Sequence, residues 1–79
     1  MAFGAYLLIN VTTGSERSVV KDLSKIDGVK HAHVVTGLHD VIAYVEAPSY
    51  EGLQKRIVDG IRGVPHITKT VTCTAFDEI

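Results

Sequence analysis

Residues 30–47 read Lys-His-Ala-His-Val-Val-Thr-Gly-Leu-His-Asp-Val-Ile-Ala-Tyr-Val-Glu-Ala. Two β-rich runs, 30–36 and 41–47, flank Gly37-Leu38-His39-Asp40, whose glycine and aspartate are turn formers. The stretch predicts a β-hairpin, and the rest of the chain arranges itself around it. On its N-terminal side, residues 5–12 (Ala-Tyr-Leu-Leu-Ile-Asn-Val-Thr) are a short, nearly continuous apolar run, the pattern of a strand covered on both faces. Thr13-Gly14-Ser15-Glu16 has the spacing of a capping box, with the Thr13 hydroxyl and the Glu16 carboxylate each taking an orphan N–H. The helix that follows spaces Val19, Val20, Leu23 and Ile26 as one apolar stripe, and Gly28 is placed for the left-handed conformation that ends it.

On the C-terminal side, Pro48-Ser49 opens a second helix, with Ser49 as N-cap and Glu51 in the first turn. Leu53, Ile57 and Ile61 repeat at every fourth position. Gly52 and Gly60 each cost this helix roughly 1 kcal/mol against alanine, so it is expected to be the softer of the two. Gly63 ends it. Residues 66–76 form the last strand, with Thr68, Thr70, Thr72 and Thr74 on one face and Ile67, Lys69, Val71 and Cys73 on the other. Gly28-Val29-Lys30-His31 recurs as Gly63-Val64-Pro65-His66 at an offset of 35, so each half is one strand–helix–strand unit. Two such units predict an α+β, ferredoxin-like βαββαβ domain: a four-stranded antiparallel sheet with both helices on one face.

Composition sets the limits. A chain of 79 residues is one domain. Hydrophobic residues at 46% and charged residues at 22% argue against disorder. No apolar run approaches the roughly 20 residues that span a bilayer, and the N-terminus lacks the pattern of a secretory signal. Eight Lys and Arg against nine Asp and Glu give a net charge of −1, without the basic excess of a nucleic-acid binder. The one cysteine, Cys73, permits neither an internal disulfide nor a multi-cysteine zinc site, and a reducing cytoplasm is the simplest compartment.

Two helices cover only one side of four strands, yet the first and third strands are apolar on both sides: Tyr6 and Leu8 against Leu7, Ile9 and Val11, and Val41, Ala43 and Val45 against Ile42 and Tyr44. Four strands at ~4.8 Å spacing and ~18 Å length present roughly 350 Å² of sheet. A monomer rarely exposes an apolar patch of that size without a reason. The expectation is that the open face packs on a second copy, with Leu7, Ile9, Ile42 and Tyr44 in the dimer interface.

Chemistry-bearing residues are sparse. His31 and His33, two apart on one strand, form half of a metal site, but no third ligand lies near them in sequence, so no metal or cofactor is expected. His39 and His66 fall at turns. Cys73 reads as a buried strand thiol. The Gly37–Asp40 turn offers backbone N–H groups to a carboxylate and the Asp40 carboxylate to an ammonium; the plainer reading is a hairpin turn in which Asp40 bonds its own backbone. The threonine row likewise reads as a solvated face or as hydroxyls lining a polar pocket.

Taken together, Ala5-Tyr6-Leu7-Leu8-Ile9-Asn10-Val11, Gly28-Val29, Val35 to Val45 with its Thr-Gly-x-x-Asp hairpin, and Lys69-Thr70-Val71-Thr72 resemble the RAM domain, the effector-binding half of the Lrp/AsnC transcription regulators. The similarity runs over essentially the whole chain, 1–79, and departs in Gly63-Val64-Pro65-His66, where the family usually has Pro-Gly-Val. The resemblance implies a dimeric α+β barrel that assembles into octamer-type rings. It implies an amino-acid effector between dimers, on Gly37, Leu38, His39, Asp40, Thr70 and Thr72. Full-length members carry an N-terminal helix-turn-helix domain; this chain starts at the first RAM strand, so the expectation is a stand-alone module. Such a module binds no DNA itself, is not an enzyme, and modulates amino-acid metabolism or full-length relatives. The competing readings are a small α+β barrel enzyme of monooxygenase or isomerase type, drawing on His31, His33 or Tyr44, and a purely structural oligomerisation module.

Overall fold

The computed structural model describes residues 2–75. The elements are β1 (Phe3–Val11), α1 (Glu16–Leu23), β2 (Val29–Val34), β3 (Val41–Ala47), α2 (Tyr50–Lys55), a π-helical turn that continues it (Arg56–Ile61), and β4 (Ile67–Thr74). The strands lie in the order β2-β3-β1-β4, every neighbour antiparallel. Each helix thus links two strands separated by a third, which is the split βαβ pattern of the ferredoxin-like fold.

Period-2 alternation sorts the central strands. Ala5, Leu7 and Ile9 pair with Val45, Ala43 and Val41, and all six are buried under the helices, whose Val19, Leu23, Leu53 and Ile61 complete the core. Tyr6 and Leu8 pair with Tyr44 and Ile42 on the opposite face, which no element covers. Across that face the registers align two rows: His33, Ile42, Leu8 and Val71, then His31, Tyr44, Tyr6 and Cys73. Leu7 and Ile9, expected in a dimer interface, therefore belong to the core, because they share register with Ala43 and Val41 rather than with Ile42 and Tyr44. Cys73 is not buried either; it is exposed on the outermost strand of the open face.

Local departures have local causes. Ser15, not Thr13, is the N-cap of α1 and makes no side-chain cap; the Glu16 carboxylate instead accepts from the Gly14 N–H at 3.2 Å. α1 ends at Leu23, and Ile26 packs on the core from the turn that follows. Ser49 caps α2 as expected, its hydroxyl accepting from the Gly52 N–H at 3.0 Å. The second helix then widens into the π turn. That turn is held at its start by Arg56, which donates to the Glu46 carbonyl at 2.6 Å and pairs with Asp27 at 3.2 Å. A bulge opposite Asn10 and Val11 flips Ile67 to the covered face, away from Lys69, Val71 and Cys73. Phe76, the end of the expected last strand, lies outside the described residues. The internal repeat does not carry over as sequence alignment suggests. Gly28 is left-handed (φ +94°) just before β2, but the left-handed residue just before β4 is His66 (φ 74°), not Gly63.

A Cβ at Gly28 would collide with the Arg56 guanidinium and the Glu46 carbonyl. Gly28→Ala is expected to lose more than the roughly 1–2 kcal/mol of the left-handed conformation alone, and urea denaturation measures it. Leu7→Ala, fully buried, is expected to cost about 2–5 kcal/mol in the same assay.

Candidate functional site

The 35–40 turn is built by its neighbours. The Val35 N–H donates to the Asp40 carbonyl and the Asp40 N–H donates to the Ile9 carbonyl, both at 2.9 Å. The Asp40 carboxylate accepts the Val11 N–H on Oδ2, also at 2.9 Å. Paired β3 begins only at Val41, so this side chain takes up a strand donor that the β1–β3 ladder leaves over. Asp40 therefore joins three segments: the end of β2, the start of β3 and the far end of β1. Its carboxylate does not bond its own backbone; Oδ2 is committed to β1 and Oδ1 stays unengaged among the described residues.

Asn10 supplies a second tie that the sequence reading missed. Its amide Nδ2 donates to the Leu38 carbonyl at 3.1 Å, and its Oδ1 lies 3.3 Å from His39 Nδ1. The available signal was a lone amide interrupting the apolar run of β1. With the Leu38 carbonyl held, its side chain points outward and is 90% exposed. Gly37 adopts φ +125°, where nothing crowds its Cβ position, so glycine is there for the backbone bend and not for a close approach.

The threonine row sits across β1. Thr70 and Thr72 pair with Ile9 and Leu7, which puts them on the helix side of the sheet. They are nevertheless exposed, because the helices lie over β1, β2 and β3 and stop short of edge strand β4. The gap is a groove of about 530 Å³ between β4 and the α2–π-turn segment. Thr68, Thr70, Thr72 and Thr74 form one wall, Gln54 and Arg62 stand opposite, and Ile57 and Ile67 supply apolar surface above the buried Leu7 and Ile61. No residue of the 37–40 turn lines it. Ile9 pairs with Val41 on one side and Thr70 on the other, so the two halves of the expected ligand site are two strand spacings apart, roughly 10 Å. One chain does not bring them into one cavity.

The remaining candidates lie elsewhere. His31 and His33 stand side by side on the open face, ring centres 6.3 Å apart, and His31 lies 6.3 Å from Tyr44. Tyr44 in turn packs on Tyr6 at 4.7 Å. Among the described residues no group of three or more His, Cys, Asp or Glu could hold a metal ion. No helix of the described residues is long and apolar enough to cross a membrane.

Comparison with known proteins agrees with this architecture. The family model described as the Lrp/AsnC ligand binding domain matches residues 4–79. An uncharacterized HTH-type transcriptional regulator of Pyrococcus abyssi is 30% identical over 78 residues, which is 95% of this chain and 52% of the relative. The chain thus spans about half the length of the curated relatives it matches. A hypothetical protein of Pyrococcus horikoshii superposes with a TM-score of 0.89 at 36% identity, covering 99% of this chain and 93% of that one. AsnC of E. coli shares the fold, with a TM-score of 0.85 at 22% identity over 96% of this chain and 52% of that one.

If Asp40 is first a structural tie, Asp40→Ala leaves the partly buried Val11 N–H without an acceptor and costs about 1–3 kcal/mol. Asp40→Asn keeps an acceptor oxygen and is expected to lose less. Chemical denaturation of both variants separates the two outcomes.

Proposed function

Since the chain belongs to the Lrp/AsnC ligand-binding domain family, we propose that it is a small-molecule effector-binding, oligomeric regulatory module. Its effector is an amino acid or similar small metabolite. What supports the reading is that both halves of the candidate site face outward from a single chain. The Gly37–Asp40 turn is pinned with its tip in solvent, and the Thr70 and Thr72 hydroxyls stand exposed across β1. A ligand held by both halves needs a second copy to close the distance. The uncovered face of Tyr6, Leu8, Ile42 and Tyr44 supplies the means of pairing, sheet on sheet, and pairs associate further into a ring.

A net charge of −1 favours sensing over DNA contact for residues 1–79. The partner that reads DNA is then a full-length Lrp/AsnC regulator, in the cytoplasm, and the module alters that regulator's response to amino-acid supply. Catalysis is not part of the proposal: the relatives are named as transcriptional regulators, and His31, His33 and Tyr44 line no part of the groove.

Native mass spectra of the pure protein, with and without the pooled common amino acids, test the proposal. The expected result is an even-numbered oligomer carrying one adduct per site. Bare oligomers across the pool contradict amino-acid sensing. A bound effector at 100 times its Kd is also expected to raise unfolding free energy by about 2.7 kcal/mol.

A further inference from the structure

We infer that the groove between β4 and the π turn selects an aliphatic carboxylate that carries no ammonium group, with a branched 2-oxo acid as the fitting class. The inference rests on the effector-binding reading above and specifies its ligand.

Charge is the first ground. Arg62 lines the groove and among the described residues its side chain has no ion-pair or hydrogen-bond partner, whereas Lys69 borders the groove from a strand position whose side chain belongs to the open face. Among the described residues no aspartate or glutamate lines it. In a chain whose acids outnumber its bases, this local sign is a property of the site and not of the composition. An anion gains the full attraction of such a site. A zwitterion brings its own positive charge into the same field and gives back much of that gain.

Hydrogen bonding points the same way. The Thr68, Thr70, Thr72 and Thr74 hydroxyls follow β4 at roughly 6–7 Å intervals, so one or two of them and the Gln54 amide offer donors to a small anion, beside a guanidinium suited to bidentate carboxylate binding. The one carboxylate in the candidate site, Asp40, lies across β1 with Oδ2 committed to the Val11 N–H. Among the described residues of one protomer, an ammonium group in the groove meets no carboxylate. A 2-oxo group, by contrast, needs only donors, and hydroxyls provide them. Finally, the half-buried Ile57, Val64 and Ile67 give a branched aliphatic tail apolar surface.

The test is isothermal titration of the full chain with 4-methyl-2-oxopentanoate and, separately, with L-leucine, which differ at one carbon. The oxo acid is expected to bind about tenfold more tightly, the worth of one charge-assisted hydrogen bond. Arg62 is exposed, so Arg62→Ala is expected to fold with an unchanged melting temperature and to lose about the same factor for the oxo acid. Leucine binding as tightly as the oxo acid, or an Arg62→Ala affinity equal to wild type, overturns the inference while leaving the effector module standing. Absence of binding by both probes also overturns it; the wider reading is then judged by the amino-acid mass spectra alone.

Discussion

Two short helices cover one face of four strands, and they do not cover all of it. The rest of the structure depends on that shortfall. Because α1 and the α2–π-turn segment lie over β1, β2 and β3, the residues facing them form a sealed core of Ala5, Leu7, Ile9, Val41, Ala43 and Val45. Because they stop short of β4, a strand facing the helices still shows its threonines to solvent. Because nothing covers the reverse face, Tyr6, Leu8, Ile42 and Tyr44 remain an apolar surface. Core, groove and open face are three consequences of one coverage deficit, typical of a chain too small to bury both sides of its sheet.

The second organising element is Asp40. Its N–H and carboxylate bind β1 at Ile9 and Val11, and its carbonyl binds Val35 just beyond β2, at 2.9 Å each, and Asn10 fixes the turn tip from the neighbouring strand. The turn is thereby preorganised, which reduces the ordering cost of any ligand or copy that docks on it. The same bonding removes one Asp40 oxygen from ligand recognition. Stability and recognition compete for one carboxylate, and the structure resolves the competition mostly in favour of stability.

The order of elements was legible because it rests on local signals. These are a hairpin flanked by β-rich runs, two apolar stripes of helical period, the Ser49 cap, and a left-handed glycine before β2. The uncovered apolar face was legible too, since two helices cannot cover both sides of four strands. Which set of residues faces outward was not legible. β1 and β3 are apolar on both faces, so alternation offers no choice; the register groups Leu7 with Ala43 and Tyr6 with Tyr44, and helix packing on the first group decides. The partner of the Asp40 carboxylate lies 29 residues away, beyond the reach of any local rule. The bulge that turns Ile67 inward lies opposite Asn10 and Val11, and the π turn carries Gly60 against Ile26, contacts that join residues far apart in sequence.

Sedimentation equilibrium of the pure protein, beside a Tyr44→Lys variant, tests most directly whether the open face is a contact between copies. The predicted result is a mass that is an even multiple of the 8.6 kDa chain for the wild type, falling to the single chain in the variant. A wild-type protein that sediments as an 8.6 kDa monomer at micromolar concentration would contradict the account.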